Sequence, residues 1–298
     1  MLANYLATES SLNQLQFQTN MPLAPHSTFG IGGLCDYFIS PLNQNAFLRL
    51  LTFLRTNGIR HKVIGNASNI LFDDNGFRGC IISTKQLKRI KQNGCTLNAD
   101  AGCSLIALSS YAASLGLSGL EFACSIPATL GGAVYMNAGA YGSEMSKIVT
   151  TCQVLRSDGV ITEIKNHDFS YRHSRYQSSN EIILSATLSL TPSRQDDIYR
   201  LMKENKDKRM SSQPIKEKSA GSTFRRGDGI IPAKLIDEAG LKGLTCGGAC
   251  VSEKHAGFIV NRNHATAKDV LRLIKMIRDK IREKYGCELI CEISYIPE

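Results

Sequence analysis

The sequence predicts an α+β fold in two parts, on three observations. Short apolar segments separated by turn residues fill the first two-thirds of the chain, which is typical of many short strands. Near the C-terminus, Val270, Ile274 and Ile281 recur at helical spacing with Lys and Arg between them. The length of 298 residues is enough for two domains, and 43% apolar with 20% charged residues indicates sizeable cores.

Turn residues locate the strands of the first part. Two pairs of apolar segments flank Asn93-Gly94 and Asp158-Gly159, and such dipeptides are typical of β-hairpin turns. The predicted strands are His61–Ile64, Cys80–Ser83, Lys88–Gln92, Cys95–Ala101, Cys152–Arg156, Val160–Ile164 and Glu181–Leu190.

A charged stretch separates the two parts. We expect an N-terminal segment over residues 1–19, a first domain over 20–192, a charged connection over 193–209 and a C-terminal domain over 210–298. In the last of these, Thr266 and Asp269 predict a capping box at the start of the amphipathic helix. Residues 288–296 predict a final strand that presents Leu289, Cys291, Ile293 and Tyr295 on one face and Glu292 on the other.

Composition excludes several classes of protein. No apolar run approaches 18 residues, so we expect no transmembrane helix, and the N-terminus lacks the basic and apolar regions of a secretory signal. We therefore expect a cytoplasmic protein. Its ten cysteines are scattered, which argues against a disulfide framework. The two C-x3-C pairs, Cys246/Cys250 and Cys287/Cys291, have no histidine at zinc-finger spacing, so we expect no metal site.

The net charge of +9 is concentrated towards the C-terminus, with 21 basic and 15 acidic residues from Arg194 onwards. This distribution favours an anionic partner, which could be nucleic acid, lipid headgroups or a phosphorylated small molecule. The basic face of the C-terminal helix could bind nucleic acid, but a solvated helix face is the more common reason for such a pattern. Charge alone leaves these alternatives open.

Two segments of small residues are candidates for binding a phosphate. The first is a turn after a strand, and its residues are Ile64, Gly65, Asn66, Ala67, Ser68 and Asn69. Small residues allow backbone N–H groups to approach an anion, although a plain turn fits the same residues about equally well.

The second segment predicts a helix with Pro127 at its first position, whose N-terminal N–H groups would attract a pyrophosphate. Its candidate residues are Ser125, Ile126, Pro127, Ala128, Thr129, Gly131, Gly132, Asn137 and Gly139. A helix packed tightly in the core is the alternative. Two such segments together favour a dinucleotide only modestly.

Taken together, these motifs resemble those of the UDP-N-acetylenolpyruvoylglucosamine reductases, a family of flavoenzymes. The resemblance is ordered and extends from Thr28 to Ile296. The segments that carry it are Thr28–Gly33, Gly65–Leu71, Gly119–Phe122, Ser125–Gly142, Tyr171–Ser174, Ser219–Phe224, Leu235–Gly243 and Lys254–Asn261. The short connection after Arg172 is similar to the form of the family that lacks a tyrosine loop over the substrate.

The resemblance implies an FAD-binding region of two α/β subdomains, of the vanillyl-alcohol-oxidase type, followed by a C-terminal α/β substrate-binding domain. It also implies non-covalent FAD, NADPH as reductant, and reduction of the enolpyruvyl group of a UDP sugar to UDP-N-acetylmuramate, a peptidoglycan precursor. A monomer is expected, with neither nucleic acid nor membrane insertion.

The family's catalytic residues match Arg172, Ser222 and Glu292 of this chain. The resemblance implies that Arg172 and Glu292 stabilise an enolate and that Ser222 donates a proton. It further implies substrate contacts by Tyr171, Arg225, Arg226, Lys254 and His255. Without the resemblance, each catalytic candidate would be an ordinary exposed polar residue.

Three small residues replace glycines that are common in the family, namely Ala67, Ser125 and Ala128. If one of those glycines has a positive φ, the replacement costs about 1 kcal/mol. The rival functions are an FAD-linked oxidase of the same superfamily acting on another sugar or alcohol, a flavin-binding protein without catalysis, and a basic nucleic-acid-binding protein. The last lacks an aromatic and basic binding motif.

Overall fold

The computed structural model describes residues 1–227 and 229–298 and divides them into two compact units. The first unit comprises Met1–Gln18, Tyr37–Asn66 and Gly79–Lys208. The second comprises Thr19–Asp36, Ala67–Arg78 and Arg209–Glu298. In the described residues, no helix has both the length and the apolar character needed to cross a membrane.

The helices alternate with strands along most of the chain. They are α1 (Leu2–Ser11), α2 (Gln44–Thr56), α3 (Leu105–Ser114), α4 (Leu130–Tyr135), α5 (Gln195–Ser212), α6 (Pro232–Glu238) and α7 (Ala267–Tyr285). Short 3₁₀ turns span Ala24–His26, Glu121–Ala123, Met145–Lys147 and Arg175–Gln177.

The strands are short, as the turn residues predict. In chain order they are β1 (Leu15–Pro22), β2 (Leu34–Pro41), β3 (His61–Ile64), β4 (Ile70–Phe72), β5 (Phe77–Ser83), β6 (Ile90–Asn93), β7 (Thr96–Asp100), β8 (Leu117–Ser118), β9 (Gly139–Ala140), β10 (Ser143–Glu144), β11 (Val149–Leu155), β12 (Ile161–Ile164), β13 (Ile182–Ser189), β14 (Thr191–Pro192), β15 (Lys218–Ser222), β16 (Thr245–Cys246), β17 (Ala249–Val251), β18 (Phe258–Asn261) and β19 (Ser294–Ile296).

Two larger sheets organise the first part of the chain. One has the strand order β1-β2-β5-β3, in which β3 and β5 run parallel. The other has the order β12-β11-β13-β7-β6 and is antiparallel throughout. Separate clusters of buried residues form a core around α2 and another around α3, α4 and the five-stranded sheet. The first unit therefore contains two α/β cores.

The second unit packs α6 and α7 against a four-stranded sheet of order β15-β18-β17-β16. The predicted capping box is confirmed, because Thr266 and Asp269 accept each other's backbone N–H groups at the start of α7. The predicted apolar face is confirmed too, with Val270, Ile274 and Ile277 buried. Several basic side chains of the other face form ion pairs, such as Lys275 with Asp279 and Arg278 with Glu288.

Burial keeps several cysteine thiols protonated. All ten cysteines lie within the described ranges, and all are free. Burial raises the pKa of the Cys35 and Cys103 thiols to about 11, and that of Cys152 to about 12. These three thiols are therefore weak nucleophiles at neutral pH.

The charged stretch 193–209, for which the sequence predicted no element, is mostly helix, since α5 spans Gln195–Ser212. The structure corrects three expectations about local structure. The first hairpin turn is Gly94-Cys95 instead of Asn93-Gly94, because Gly94 supplies the positive φ of +56° while Asn93 pairs with Thr96.

The other two corrections concern termini of elements. Helix α4 begins at Leu130 with Thr129 as its N-cap, so Pro127 lies before the helix and not at its first position. The final strand is only Ser294–Ile296, preceded by an isolated bridge at Cys291. Leu289 and Ile293 are buried as predicted, but the alternation fails at Tyr295, which is exposed and donates its hydroxyl to Asp73, while Ile296 is buried.

Candidate active site

Gly65 and Asn66 of the first segment meet the second segment within the first unit. An ideal Cβ placed on Gly65 would lie 2.0 Å from Oγ1 of Thr129, so only glycine allows this approach. The side-chain amide of Asn66 donates to the carbonyl oxygen of Pro127 at 2.8 Å. The turn after β3 and the segment before α4, which are separated by about sixty residues of sequence, therefore form one continuous backbone surface.

Backbone donors are available on the first segment. No acceptor in the described chain receives the N–H groups of Asn66, Ala67 or Ser68. Ala67 has a φ of +49°, and a left-handed residue turns successive N–H groups towards one side, as in anion-binding nests. This turn fits the phosphates of a dinucleotide such as FAD.

The start of α4 fits that role less well than expected. The N–H of Leu130 donates to Cys103 O, and that of Gly131 donates to Ala101 O, both at 2.8 Å. The N–H of Gly132 donates to Oγ1 of Thr129, its N-cap. The first-turn donors therefore already have partners, and the expected pyrophosphate contact at this helix end stays a prediction.

The three replaced glycines differ in backbone conformation. Ala67 is the only one of them with a positive φ, and the left-handed region costs alanine about 1 kcal/mol. Ser125 and Ala128 have ordinary negative φ values, so they carry no such strain. Of the three replacements, only Ala67 therefore carries the cost of a positive φ.

Asn137 is fully buried and holds neighbouring segments together. Its Nδ2 donates to Oε1 of Glu144 at 3.0 Å and to Ser170 O at 2.9 Å, while its Oδ1 accepts from the N–H of Ser146 at 2.9 Å. With an exposure of 0%, its side chain offers no surface to a ligand. The expected direct contact with a cofactor does not fit this geometry.

Arg172 occupies a strained turn in the first unit. The N–H groups of Ser170 and His173 donate to each other's carbonyl oxygens, which closes a tight turn around Tyr171 and Arg172. Arg172 has a φ of +55° at the third turn position, where type II turns favour glycine. Its guanidinium donates from Nη2 to Gly139 O at 3.0 Å, and its Cζ lies 5.1 Å from the centre of the Tyr171 ring.

Ser222 and Glu292 lie on neighbouring segments of the second unit. Ser222 ends β15 and pairs with Phe258. The next residue, Thr223, accepts the N–H of Glu292 through its carbonyl oxygen at 2.8 Å. Asn69 then donates from Nδ2 to the carbonyl oxygen of Glu292 at 3.0 Å. Two residues that are 70 positions apart in the sequence are thereby brought side by side.

The remaining candidates are distributed over both units. Tyr171 is exposed and lies beside Arg172, in the first unit. In the second unit Arg225 donates its N–H to Ile290 O, while Arg226 and Lys254 are exposed. Lys254 donates from Nζ to Met210 O at 2.5 Å.

The surroundings of His255 favour the neutral form of its imidazole. Desolvation lowers the pKa of its imidazole, and the nearby positive charges of Lys242 and Arg226 lower it further. Its Nδ1 accepts the N–H of Gly257 at 3.1 Å, which also requires an unprotonated nitrogen. His255 is therefore neutral at pH 7 and can donate from Nε2.

Comparison with known proteins now bears on these sites. The FAD binding domain family matches residues 35–165, which include the Gly65 turn and the segment before α4. The C-terminal domain of UDP-N-acetylenolpyruvoylglucosamine reductase matches residues 213–296, which include Ser222 and Glu292. A UDP-N-acetylenolpyruvoylglucosamine reductase of Caldanaerobacter subterraneus is 40% identical over 289 residues, covering 96% of each chain. The chain belongs to this reductase family.

Other members of the family match equally well. The reductase of Enterococcus faecalis is 40% identical over 297 residues and 99% of each chain. A solved structure of the Thermus caldophilus reductase superposes with a TM-score of 0.81 at 33% identity, covering 95% of this chain and 99% of that one. The predicted fold class and family are confirmed. The chain is an FAD-dependent oxidoreductase, and its FAD-binding region precedes the family's C-terminal domain.

The sequence did not single out Gln177, which supports Arg172, and included Ser174 only within the Tyr171–Ser174 segment. Gln177 donates from Nε2 to the carbonyl oxygens of Arg172 and Tyr135, both at 3.0 Å. Ser174, fully buried, donates to the same Tyr135 oxygen at 2.6 Å. A polar residue five positions after an arginine carries no recognisable signal, because its partners are set by tertiary folding.

Proposed function

We propose that this protein reduces the enolpyruvyl group of UDP-N-acetylglucosamine enolpyruvate to give UDP-N-acetylmuramate, using NADPH, as a step of peptidoglycan precursor synthesis in the cytoplasm. Identity of about 40% over nearly the whole of relatives named for this reduction supports it most strongly. Domain limits of 20–192 and 210–298 and a monomeric state are part of the same proposal.

The FAD cradle of this proposal is the turn of Gly65 to Asn69. Its free N–H groups at Asn66, Ala67 and Ser68 supply donors for the phosphates, and the contact of Gly65 with Thr129 keeps side chains out of the way. When bound there, FAD supplies the hydride that it takes from NADPH. The residues of the chain then have to manage charge and protons on the substrate.

Arg172 is proposed to stabilise negative charge on the substrate. Addition of hydride to C3 of the enolpyruvyl group leaves an electron pair at C2 that delocalises into the carboxylate. A fixed cation stabilises this enolate more than it stabilises the neutral double bond, which accelerates the step. The guanidinium is fixed by its bond to Gly139 O and by the Tyr171 ring.

Ser222 and Glu292 are proposed to complete the reaction at C2. The Ser222 hydroxyl gives its proton to C2, and the resulting alkoxide is reprotonated from solvent, since Ser222 is exposed. Glu292 acts with Arg172 on the enolate. The backbone bond between Thr223 and Glu292 keeps the serine and the glutamate in register. Tyr171, Arg225, Arg226, Lys254 and His255 are proposed contacts for the UDP sugar.

Flavin absorbance and NADPH consumption test this function directly. We expect a yellow protein that oxidises NADPH in proportion to added UDP-N-acetylglucosamine enolpyruvate. A colourless protein that cannot be reconstituted with FAD would contradict the flavoenzyme. A yellow protein with no substrate-dependent loss of NADPH would point to an oxidase or to a flavin-binding protein without this catalysis.

Ser222→Ala separates the two half-reactions. Removal of the proton donor is expected to slow reoxidation of the reduced flavin by substrate by roughly 100-fold or more, while NADPH reduces the flavin at the wild-type rate. Stopped-flow absorbance measures both rates. Ser219→Ala, in the same strand, is the control and should leave both unchanged. Equal slowing of both half-reactions in Ser222→Ala would mean that Ser222 is structural.

A further inference from the structure

The backbone at Arg172 needs support that the turn itself does not provide. Arginine sits at a turn position that favours glycine, with a φ of +55°. A residue in this conformation persists only when surrounding contacts hold it there.

Two side-chain amides donate hydrogen bonds to backbone carbonyl oxygens of this turn. Asn137 donates to Ser170 O at 2.9 Å, at the first turn position. Gln177 donates to Arg172 O at 3.0 Å, at the strained position itself. Rotation of Arg172 to an ordinary negative φ would reorient the peptide unit around its carbonyl. The bond from Gln177 in this geometry therefore stabilises the left-handed conformation.

Gln177 also ties the turn to a rigid element. Tyr135 is the last residue of α4, and Nε2 of Gln177 donates to its carbonyl oxygen at 3.0 Å. The same Nε2 lies 3.7 Å from Sδ of Met136. The same Tyr135 oxygen accepts from Ser174. Both N–H groups of the amide thus have carbonyl partners, one on α4 and one on Arg172. This bridge links the turn to the helix that follows the FAD-side segment.

The base of the loop is anchored independently of Gln177. Arg175 binds both carboxylate oxygens of Glu181 at 3.1 Å, and its N–H donates to His167 O at 2.9 Å. His167 Nδ1 lies 2.7 Å from the hydroxyl of the buried Tyr176. Loss of Gln177 should therefore loosen the tip around Arg172 without releasing the loop from the unit.

We propose that Gln177 is a positioning residue for Arg172, whose amide selects the left-handed backbone at Arg172 and so orients the guanidinium for catalysis. This inference rests on the proposed function, because it concerns the reaction in which Arg172 stabilises charge. Gln177 itself touches neither substrate nor cofactor in this role.

Gln177→Ala tests the proposal by transient kinetics. Without the amide, Arg172 spends less time in the productive conformation, so flavin reoxidation by the enolpyruvyl substrate should slow five- to tenfold, or about 1 to 1.4 kcal/mol. Flavin reduction by NADPH should stay at the wild-type rate. In an Arg172→Ala background, Gln177→Ala should cause no further slowing, because the side chain that it positions is gone.

Donor chemistry supplies the matched variants. Gln177→Lys restores N–H donors at similar reach and should return the rate to within about threefold of wild type. Gln177→Glu keeps the size but places a carboxylate against two carbonyl oxygens, and should be at least as slow as Gln177→Ala. Gln153→Ala removes another glutamine of the same unit, bonded to Gln44 on the surface, and should have no effect.

Limited proteolysis gives a readout that does not depend on activity. Trypsin cleaves after arginine, and the Arg172–His173 bond lies in the turn that Gln177 holds. We expect mass spectrometry to show cleavage at this bond several times faster in Gln177→Ala than in wild type or Gln153→Ala. Cleavage after Arg175, held by Glu181, should not change.

Distinct results would overturn the proposal. If wild type turns over and Arg172→Ala is slow but Gln177→Ala is as fast as wild type, the positioning role is wrong and the proposed function stands. Additive slowing in the double variant, or unchanged cleavage at Arg172, would show that Gln177 does not act through Arg172. If wild type does not consume NADPH with the substrate, the proposed function fails, and the positioning role in that reaction fails with it.

Discussion

The arginine turn of the first unit and the serine–glutamate pair of the second are held by different means. Around Arg172, side chains such as Gln177, Asn137 and Ser174 bond to backbone carbonyls. Around Ser222 and Glu292, backbone groups bond mostly to each other, as in the Thr223–Glu292 bond and the pairing of Ser222 with Phe258.

The difference shows which candidate residues depend on neighbouring side chains for their backbone geometry. A backbone ladder forms with almost any sequence that keeps the strand, so its geometry tolerates side-chain substitution. A strained turn held by amides depends on those amides. The proposed role of Arg172 should therefore be more sensitive than that of Ser222 to substitution of neighbouring residues that do not contact the substrate.

Asn137→Ala tests the side-chain support of the Arg172 turn and should have the largest effect, which is on the free energy of unfolding. It removes three hydrogen bonds and leaves the N–H of Ser146 without its acceptor, while Ser170 O keeps the N–H of His173 and Oε1 of Glu144 keeps the hydroxyl of Ser146. We expect the free energy of unfolding to fall by about 3 kcal/mol, measured by urea denaturation at fixed FAD concentration. Asn98→Ala, which loses a single bond to Thr187, should cost about 1 kcal/mol. Equal losses in both variants would contradict the special role of Asn137.

Thr223→Val tests the serine–glutamate side with a smaller effect. Oγ1 of the buried Thr223 accepts the N–H of Ile259 at 3.2 Å, so its removal should lower the free energy of unfolding by about 1 to 2 kcal/mol. The backbone bond from Glu292 survives, and the substrate half-reaction should therefore change less than threefold. Thr223→Ser, which keeps the acceptor, serves as control. A kinetic loss larger than that of Gln177→Ala would reverse the comparison.

The smallest expected effect is the change in the free energy of unfolding with pH, to which His167 of the first unit and His255 of the second contribute. Desolvation is the main cause that lowers the pKa of His167 in the first unit and of His255 in the second. Both are neutral in the folded protein, whereas the unfolded chain binds protons below about pH 6.5. The stability they contribute is thus present above that pH and is lost as the pH falls towards the lowered folded values.

The measurement is the free energy of unfolding between pH 7 and pH 5. His167→Gln and His255→Gln should each flatten its decline. Because His167 bonds to the hydroxyl of Tyr176 at the base of the arginine loop, His167→Gln should also raise trypsin cleavage near Arg172. A pH profile that both variants leave unchanged would mean that other groups dominate the acid response.

Strand positions could be predicted where the local signal was strong. The strand His61–Ile64, the hairpin at Gly159 and the capping box of α7 follow from turn residues and capping residues that act on their immediate neighbours. Helix α5 was missed, because its mean polarity resembles a linker and only Ile198 and Asn205 are buried. The early end of the last strand depends on pairing with β4, over 200 residues away in sequence.

Candidate site residues were predicted mainly from the resemblance. Gly65 and Thr129 were both predicted as candidates. Only the structure shows that they lie so close together that a Cβ on Gly65 would collide with Thr129. Asn137 was predicted as a cofactor contact, but its amide is used entirely inside the protein. Gln177 was not predicted, since no spacing rule connects it with Arg172.

By itself the sequence determined the α+β class, the family and the chemical types of the candidate residues, because these depend on local patterns and ordered motifs. The tertiary structure alone decided which backbone donors remain free and which are used. It also decided that Arg172 lies in a left-handed turn held by Gln177. Hydrogen-bond partners and strain depend on segments far apart in the chain, and only folding brings those segments within bonding distance.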